Sequence, residues 1–163
     1  MNLQALSVLS AETGLEFAMP SQAAARVKEL AAKAKLEDDD MIAMNKALLD
    51  VIMTGDFDTY KLLCDENLTC FEPEAKGHLV TGLDFHKYYF DLMKGDGPSA
   101  KQDVRNTSIV APVIKWMCNN TAATVCFKRL VQVGVNTVAT EETRVWEFCG
   151  GSWKLRHFHR SHG

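Results

Sequence analysis

Three arginines in the second half of the chain stand in rows of apolar residues. In "EETRVWEFC", Arg144 alternates onto the face of Trp146 and Phe148; in "SWKLRHFHR", Arg160 shares a face with Phe158; in "TVCFKRLVQV", Arg129 continues the row of Val125, Phe127 and Val131. Successive residues of a strand point to opposite faces, so every second residue shares one. These guanidinium groups therefore belong to the side of a sheet that reads as its core, where charge must be compensated. Two chemistries fit. Planar guanidinium forks can grip a bound carboxylate, or the arginines can form a structural ion-pair network with Glu142, Glu141 or Glu72. On residue types alone the network is the stronger reading, because paired buried charges are common as structure.

The other reactive residues carry less. His157 and His159 in "HFH" project to one side with strand spacing but lack a third ligand nearby, so no zinc site is assigned. His86 reads as a hydrogen-bonded structural residue that can also reach a pocket beneath the helices. "GDFD" and "KGDGP" are turns without the ligand pattern of an EF-hand, and no phosphate-binding glycine motif is present. No catalytic residue, metal or cofactor is assigned.

Composition excludes further classes. Eighteen Lys and Arg against 21 Asp and Glu leave a net charge of −3, so no global field attracts nucleic acid or anionic lipid. No apolar run approaches the ~18 residues that a membrane span needs. Five cysteines at irregular spacings, with no CxxC pair, fit reduced thiols in a cytoplasmic protein. The first residues lack the basic and then apolar regions of a signal peptide.

The elements that must position the arginines follow from periodicity. Residues 1–37 read as a tail or linker with a marginal helix in "QAAARVKELAAKAKLE", outside the core; "LEFAM" (15–19) is a second possibility for a sheet edge. From residue 38 to 163 the pattern is that of one domain. Acidic residues open a helix with Met41, Met44, Leu48, Leu49 and Ile52 at helical spacing, and Gly55 stands where a cap belongs. A short helix from Phe57, a short strand ended by Pro73 and a third helix in "LDFHKYYFDLMK", with Leu83, Tyr88 and Phe90 to Leu92 on its apolar side, come next. A loop, "KGDGPSA" (94–100), leads to four strands separated by Asn119-Asn120, Gly134 and Gly150-Gly151. Helices followed by a consecutive antiparallel meander mean α+β, with the helices on one face of the sheet.

Register decides whether the arginines meet. A three-residue loop with Gly151 in a left-handed bulge position pairs Phe148 with Ser152 and sets Arg144 opposite Arg156. Arg144, Phe158 and Arg160 then share one face, whereas a two-residue turn moves Arg160 to the other. An even-length loop near Gly134 brings Arg129 to the side of Arg144.

"GDF", "LCDENLTCFEPEAKGHLVTGLDFHKYYF", "EETRVW" and "HFHRS" closely resemble the association (hub) domain of calcium/calmodulin-dependent protein kinase II, over about residues 38 to 162. The resemblance implies a nuclear-transport-factor-2-like cone: a long N-terminal helix packed in a strongly curved antiparallel sheet. It implies a non-enzymatic scaffold whose partner is itself, in dimers assembled into stacked rings. It also implies a cavity lined by Arg129, Arg144 and Arg160 with His86 close by, which raises the anion-pocket reading, with Glu142 as the compensating acid. The chain departs from the family at Lys94, where members usually carry tryptophan, and in a shorter Gly134 hairpin. No kinase or calmodulin-binding segment is read, so the expectation is a stand-alone hub. A small ligand binder or an isomerase- or dehydratase-type enzyme using the cone is the alternative.

Overall fold

The computed structural model describes residues 20–94 and 104–162. The "LEFAM" stretch and most of the "KGDGPSA" loop lie outside the described residues.

Among the described residues, four helices precede the long strands: α1 (Pro20–Ala32), α2 (Asp38–Thr54), α3 (Phe57–Leu63) and α4 (Asp84–Lys94). Helix α2 begins with Asp38, Asp39 and Asp40, whose charges favour the positive end of the helix dipole. It ends at Gly55, whose φ of 70° lets the chain turn left-handed while its N–H bonds back to Ile52. The buried face of α2 carries Met41, Met44, Leu48 and Leu49, with Ile52 partly buried, as its periodicity predicts. In α3, Asp56 caps the first turn by accepting from the Thr59 N–H. Helix α4 turns inward on His86 and Phe90, while Tyr88 is 60% exposed and Leu92 41%. The expected apolar side of that helix is thus rotated toward its His86 edge.

Helix α1 corrects a sequence expectation. It does not lie outside the core: Val27 and Leu30 are fully buried, Ala31 and Leu36 nearly so. Trp153 donates its indole N–H to the Lys33 carbonyl at 2.9 Å. A narrow stripe of small side chains suffices because it rests on α2 and on a tryptophan of the last strand.

Six strands form one sheet in the order β2-β1-β6-β5-β4-β3. They are β1 (Cys64–Phe71), β2 (Val80–Thr81), β3 (Val104–Met117), β4 (Ala122–Val133), β5 (Asn136–Cys149) and β6 (Ser152–His162). The last four form the expected antiparallel meander. Strand β1 departs from it by pairing with β6 in parallel, Cys70 beside Phe158. The α+β class holds, with an antiparallel sheet that gains one parallel neighbour.

The hairpin at Gly150-Gly151 has two residues, not three: Cys149 pairs with Ser152 and Phe148 with Trp153. Both glycines have positive φ, 58° and 79°, as a tight hairpin of this length demands. By itself this register would turn Arg160 away from Arg144. A bulge later in the strand restores it: Trp146 pairs with Leu155 but Val145 with His157, leaving Arg156 as the extra residue. Arg144 therefore faces Phe158 rather than Arg156, and Arg160 faces Glu142. The loop between β4 and β5 is even, Val133 pairing with Asn136, so Arg129 stands opposite Thr140 on the face of Glu142 and Arg144.

Candidate functional site: a cavity with paired arginines and glutamates

Between α2, α3, α4 and the inner face of the sheet lies a cavity of about 740 Å³, whose lining includes Arg129, Arg144, Arg160, His86, Glu142 and Glu72. The size is that of small-ligand pockets. The five residues expected from the sequence, His86 and Glu142 with the three arginines, all line it.

The arginines are compensated in two groups. Glu142 Oε2 accepts from Arg144 Nη2 at 2.7 Å and from Nε at 3.0 Å, and Oε1 accepts from Arg129 Nη1 at 3.4 Å. Arg160 Nη2 donates to Glu72 at 2.9 Å and to Glu74 at 2.6 Å. Three arginines thus meet three glutamates. Glu74 was missed from the sequence, although it stands two residues after Glu72 in "FEPEA" and is brought over by the short 3₁₀ turn Pro73–Ala75. Glu141 lies on the outer face, exposed, with its closest cation Lys128 at 4.0 Å.

Arg144 is fixed from three sides. Asn45 of α2, fully buried, accepts from both Arg144 Nη1 and the Trp146 indole at 3.3 Å. Its own amide donates to the Met41 carbonyl at 2.8 Å. The guanidinium also lies 5.1 Å from the centre of the Phe127 ring, a cation–π contact. Arg129 is held more loosely, and its buried Nε has no partner among the described residues.

Burial and charge set the protonation of these groups. Burial works to raise the Glu142 carboxyl, but Arg144 and then Arg129 hold it below its ordinary value. For Glu72 burial wins and raises it despite Arg160. Burial lowers the Arg129 guanidinium against the pull of Glu142, whereas Glu74 and Glu72 raise Arg160 against burial. His86 is pushed down to about 4 by burial and by the charge of Arg160, so its ring is neutral near pH 7. It sits 3.7 Å from Glu72 and the same distance from the Cys70 thiol. Among the described residues no hydrogen bond or ion pair joins His86 to Glu142, the couple an acid/base enzyme would use. His157 is occupied by Thr69, Nδ1 to Oγ1 at 2.8 Å, and His159 is exposed on the outer face. Lys94 lines the same cavity.

The family described as "Calcium/calmodulin dependent protein kinase II association domain" matches residues 37–163. The Drosophila melanogaster calcium/calmodulin-dependent protein kinase type II alpha chain is 40% identical over 127 residues, which is 75% of this chain and 23% of the fly protein. The chain therefore spans about a quarter of the length of such curated relatives. The solved hub homology domain of Chlamydomonas reinhardtii is 44% identical with a TM-score of 0.66, covering 76% of this chain and 95% of the algal one. A nuclear-transport-factor-2-like protein of Cytophaga hutchinsonii, 19% identical, shares the fold, with a TM-score of 0.60 over 78% of this chain and 100% of its own. Family match, identity and fold converge: this chain belongs to the calcium/calmodulin-dependent protein kinase II association-domain family.

Proposed function

We propose that the chain is a self-association scaffold, assembling through its sheet into a large ring-shaped homo-oligomer in the cytoplasm, without catalysis of its own. The observation that carries this is the outer face of β3. The strand is 14 residues long and closes one end of the sheet. A bulge between Val110 and Val113 turns both outward, where they are 40% and 54% exposed, with Met117 at 40% further along. An apolar edge of this length invites pairing with another chain. The alternate residues Ile109 and Trp116 of the same strand turn inward and pack on the core. Trp116 donates to Asp38 at 2.7 Å and meets the Trp153 ring edge-on. Native mass spectrometry tests the proposal: a large closed assembly supports it, and a monomer at micromolar subunit concentration would overturn it.

The cavity is the scaffold's ligand pocket, and a carboxylate is the ligand class that its arginines suit. Arg129 supports this best, since among the described residues its one acid partner lies at 3.4 Å and its Nε has no partner. Titrating wild type and Arg129→Met with succinate is the direct measurement. Loss of one charged hydrogen bond should weaken binding by about 1.5–3 kcal/mol; equal affinity would leave the arginines structural.

A further inference from the structure

We propose that Cys70, Glu72 and His86 form a binding site for a divalent transition metal of the zinc class, completed by a water from the cavity. The three residues come from two places in the chain. Strand β1 delivers Cys70, fully buried on the inner side. Glu72 follows where the strand ends, and the first turn of α4 brings in His86. One ligand atom from each lies within 4.8 Å of the others.

The spacing fits a tetrahedral ion. Zinc bonds of ~2.3 Å to sulfur and ~2.0 Å to nitrogen or oxygen place neighbouring ligand atoms ~3.5 Å apart. Cys70 Sγ is 3.7 Å from His86 Nε2 and 3.7 Å from Glu72 Oε1. Glu72 Oε1 lies 3.7 Å from the other ring nitrogen, Nδ1, so a rotation of the imidazole presents one nitrogen to an ion shared by all three, whose donor atoms lie within 4.8 Å of one another. The Glu72 oxygens divide the work. Oε1 faces the thiol and the imidazole, whereas Oε2 is held by Arg160 at 2.9 Å, which fixes the carboxylate plane as outer-shell partners of metal ligands do.

The donor set selects the ion. Thiolate with imidazole suits zinc, cobalt or nickel, while magnesium and calcium require oxygen ligands. On binding, the Cys70 S–H bond breaks, its electron pair forms the metal–sulfur bond and its proton leaves to solvent. The two charges of the ion are then balanced by the thiolate and Glu72. Arg160 opposes a cation here, but Glu74 at 2.6 Å offsets its charge. His86 and Glu72 both line the cavity, so water has access to the fourth position.

Cobalt(II) reports on this directly, because a cobalt–thiolate bond has an intense near-ultraviolet absorption band. Adding cobalt chloride to the reduced full chain should produce that band and saturate at one ion per chain. Cys126→Ser, which removes an exposed thiol, should retain it. Cys70→Ser should abolish the band, and His86→Gln should weaken binding by at least about tenfold, each with its helical circular dichroism intact. Absence of the band in the wild type, or its persistence in folded Cys70→Ser, would overturn the proposal. Should Cys70→Ser fail to fold, anomalous scattering from wild-type crystals grown with zinc decides. A peak among the three side chains supports the site, and a peak elsewhere or none ends it.

Discussion

Glu142 and Arg144, two positions apart on one strand, point the same way and bond side by side, Glu142 Oε2 receiving both Nη2 and Nε of the guanidinium. Both are almost fully buried. Sequence reasoning alone allows Arg144→Met to be neutral, because an uncompensated arginine is strained. The pair reverses that expectation. Arg144→Met strands Glu142 with only the 3.4 Å contact to Arg129 and should lower stability by about 3–5 kcal/mol. Arg144→Met combined with Glu142→Leu should recover much of the loss, since both buried charges go together. Urea unfolding of the three proteins at one subunit concentration measures this; a double variant no better than the single one would contradict it.

The same pair sets an acid limit. The folded-state carboxyl of Glu142 lies below its unfolded value, held there by Arg144 and Arg129, with Arg160 adding to the effect against burial. Its stabilisation is therefore complete above the ordinary glutamate pKa of ~4.3 and is lost as pH falls through the depressed folded value. Glu142→Gln should be less stable than wild type at pH 7, with the gap narrowing below about pH 4. Denaturant midpoints across pH check the sign, and a gap that widens in acid would refute it.

Much of this fold was readable because helix α2 and the four long strands carry clean periods, and their turns use asparagine or glycine. The site was readable for a related reason: arginine in an apolar alternation is conspicuous. The route by which Arg160 reaches that face was not. The two-residue turn at Gly150-Gly151 and the bulge at Arg156 each shift the register by one in the same direction, and a shift of two restores the face. No side-chain pattern marks Arg156 as unpaired, since "KLRHFH" alternates acceptably either way. The parallel seat of β1 and the burial of α1 were also hidden, because both depend on distant residues of β6.

That bulge can be tested. Deleting Arg156 removes the extra residue, and the regular register of the tight turn then still pairs Val145 with His157 and Glu142 with Arg160, so Phe158 and Arg160 stay inward. The variant should fold with only a modest loss of stability. Arg156→Ala keeps the bulge and removes only the half-exposed pairs with Asp65 and Glu147, so it should cost about 0–1 kcal/mol. A deletion variant that fails to fold beside a stable Arg156→Ala would contradict this.

Helix α1 was expected to be dispensable. With Val27 and Leu30 fully buried, Leu30→Ala should destabilise the protein by about 2–5 kcal/mol. Removing residues 1–34 should expose the Trp153 face and lower the thermal midpoint further. A truncated chain as stable as the full one would mean that the contacts of α1 contribute little.

On the outer face, Val113→Asp places a charge on an apolar strand edge without touching the core. Light scattering should show smaller species, and circular dichroism should be unchanged. An assembly of unaltered mass would place the contact surface elsewhere.

Strand β6 is the last of the six to be synthesised, yet it sits inside the sheet between β1 and β5. Until it emerges, β1 has no partner among the described strands except the two-residue β2, β5 lacks its β6 neighbour, and α1 lacks the tryptophan on which it rests. Folding on the ribosome must therefore wait for residues 152–162, with pairings such as Cys64 to Leu155 closing late and over long loops. During that delay the nascent chain presents unpaired strand edges to its neighbours. In the proposed sheet-mediated assembly, these open edges must be covered before copies can pair correctly.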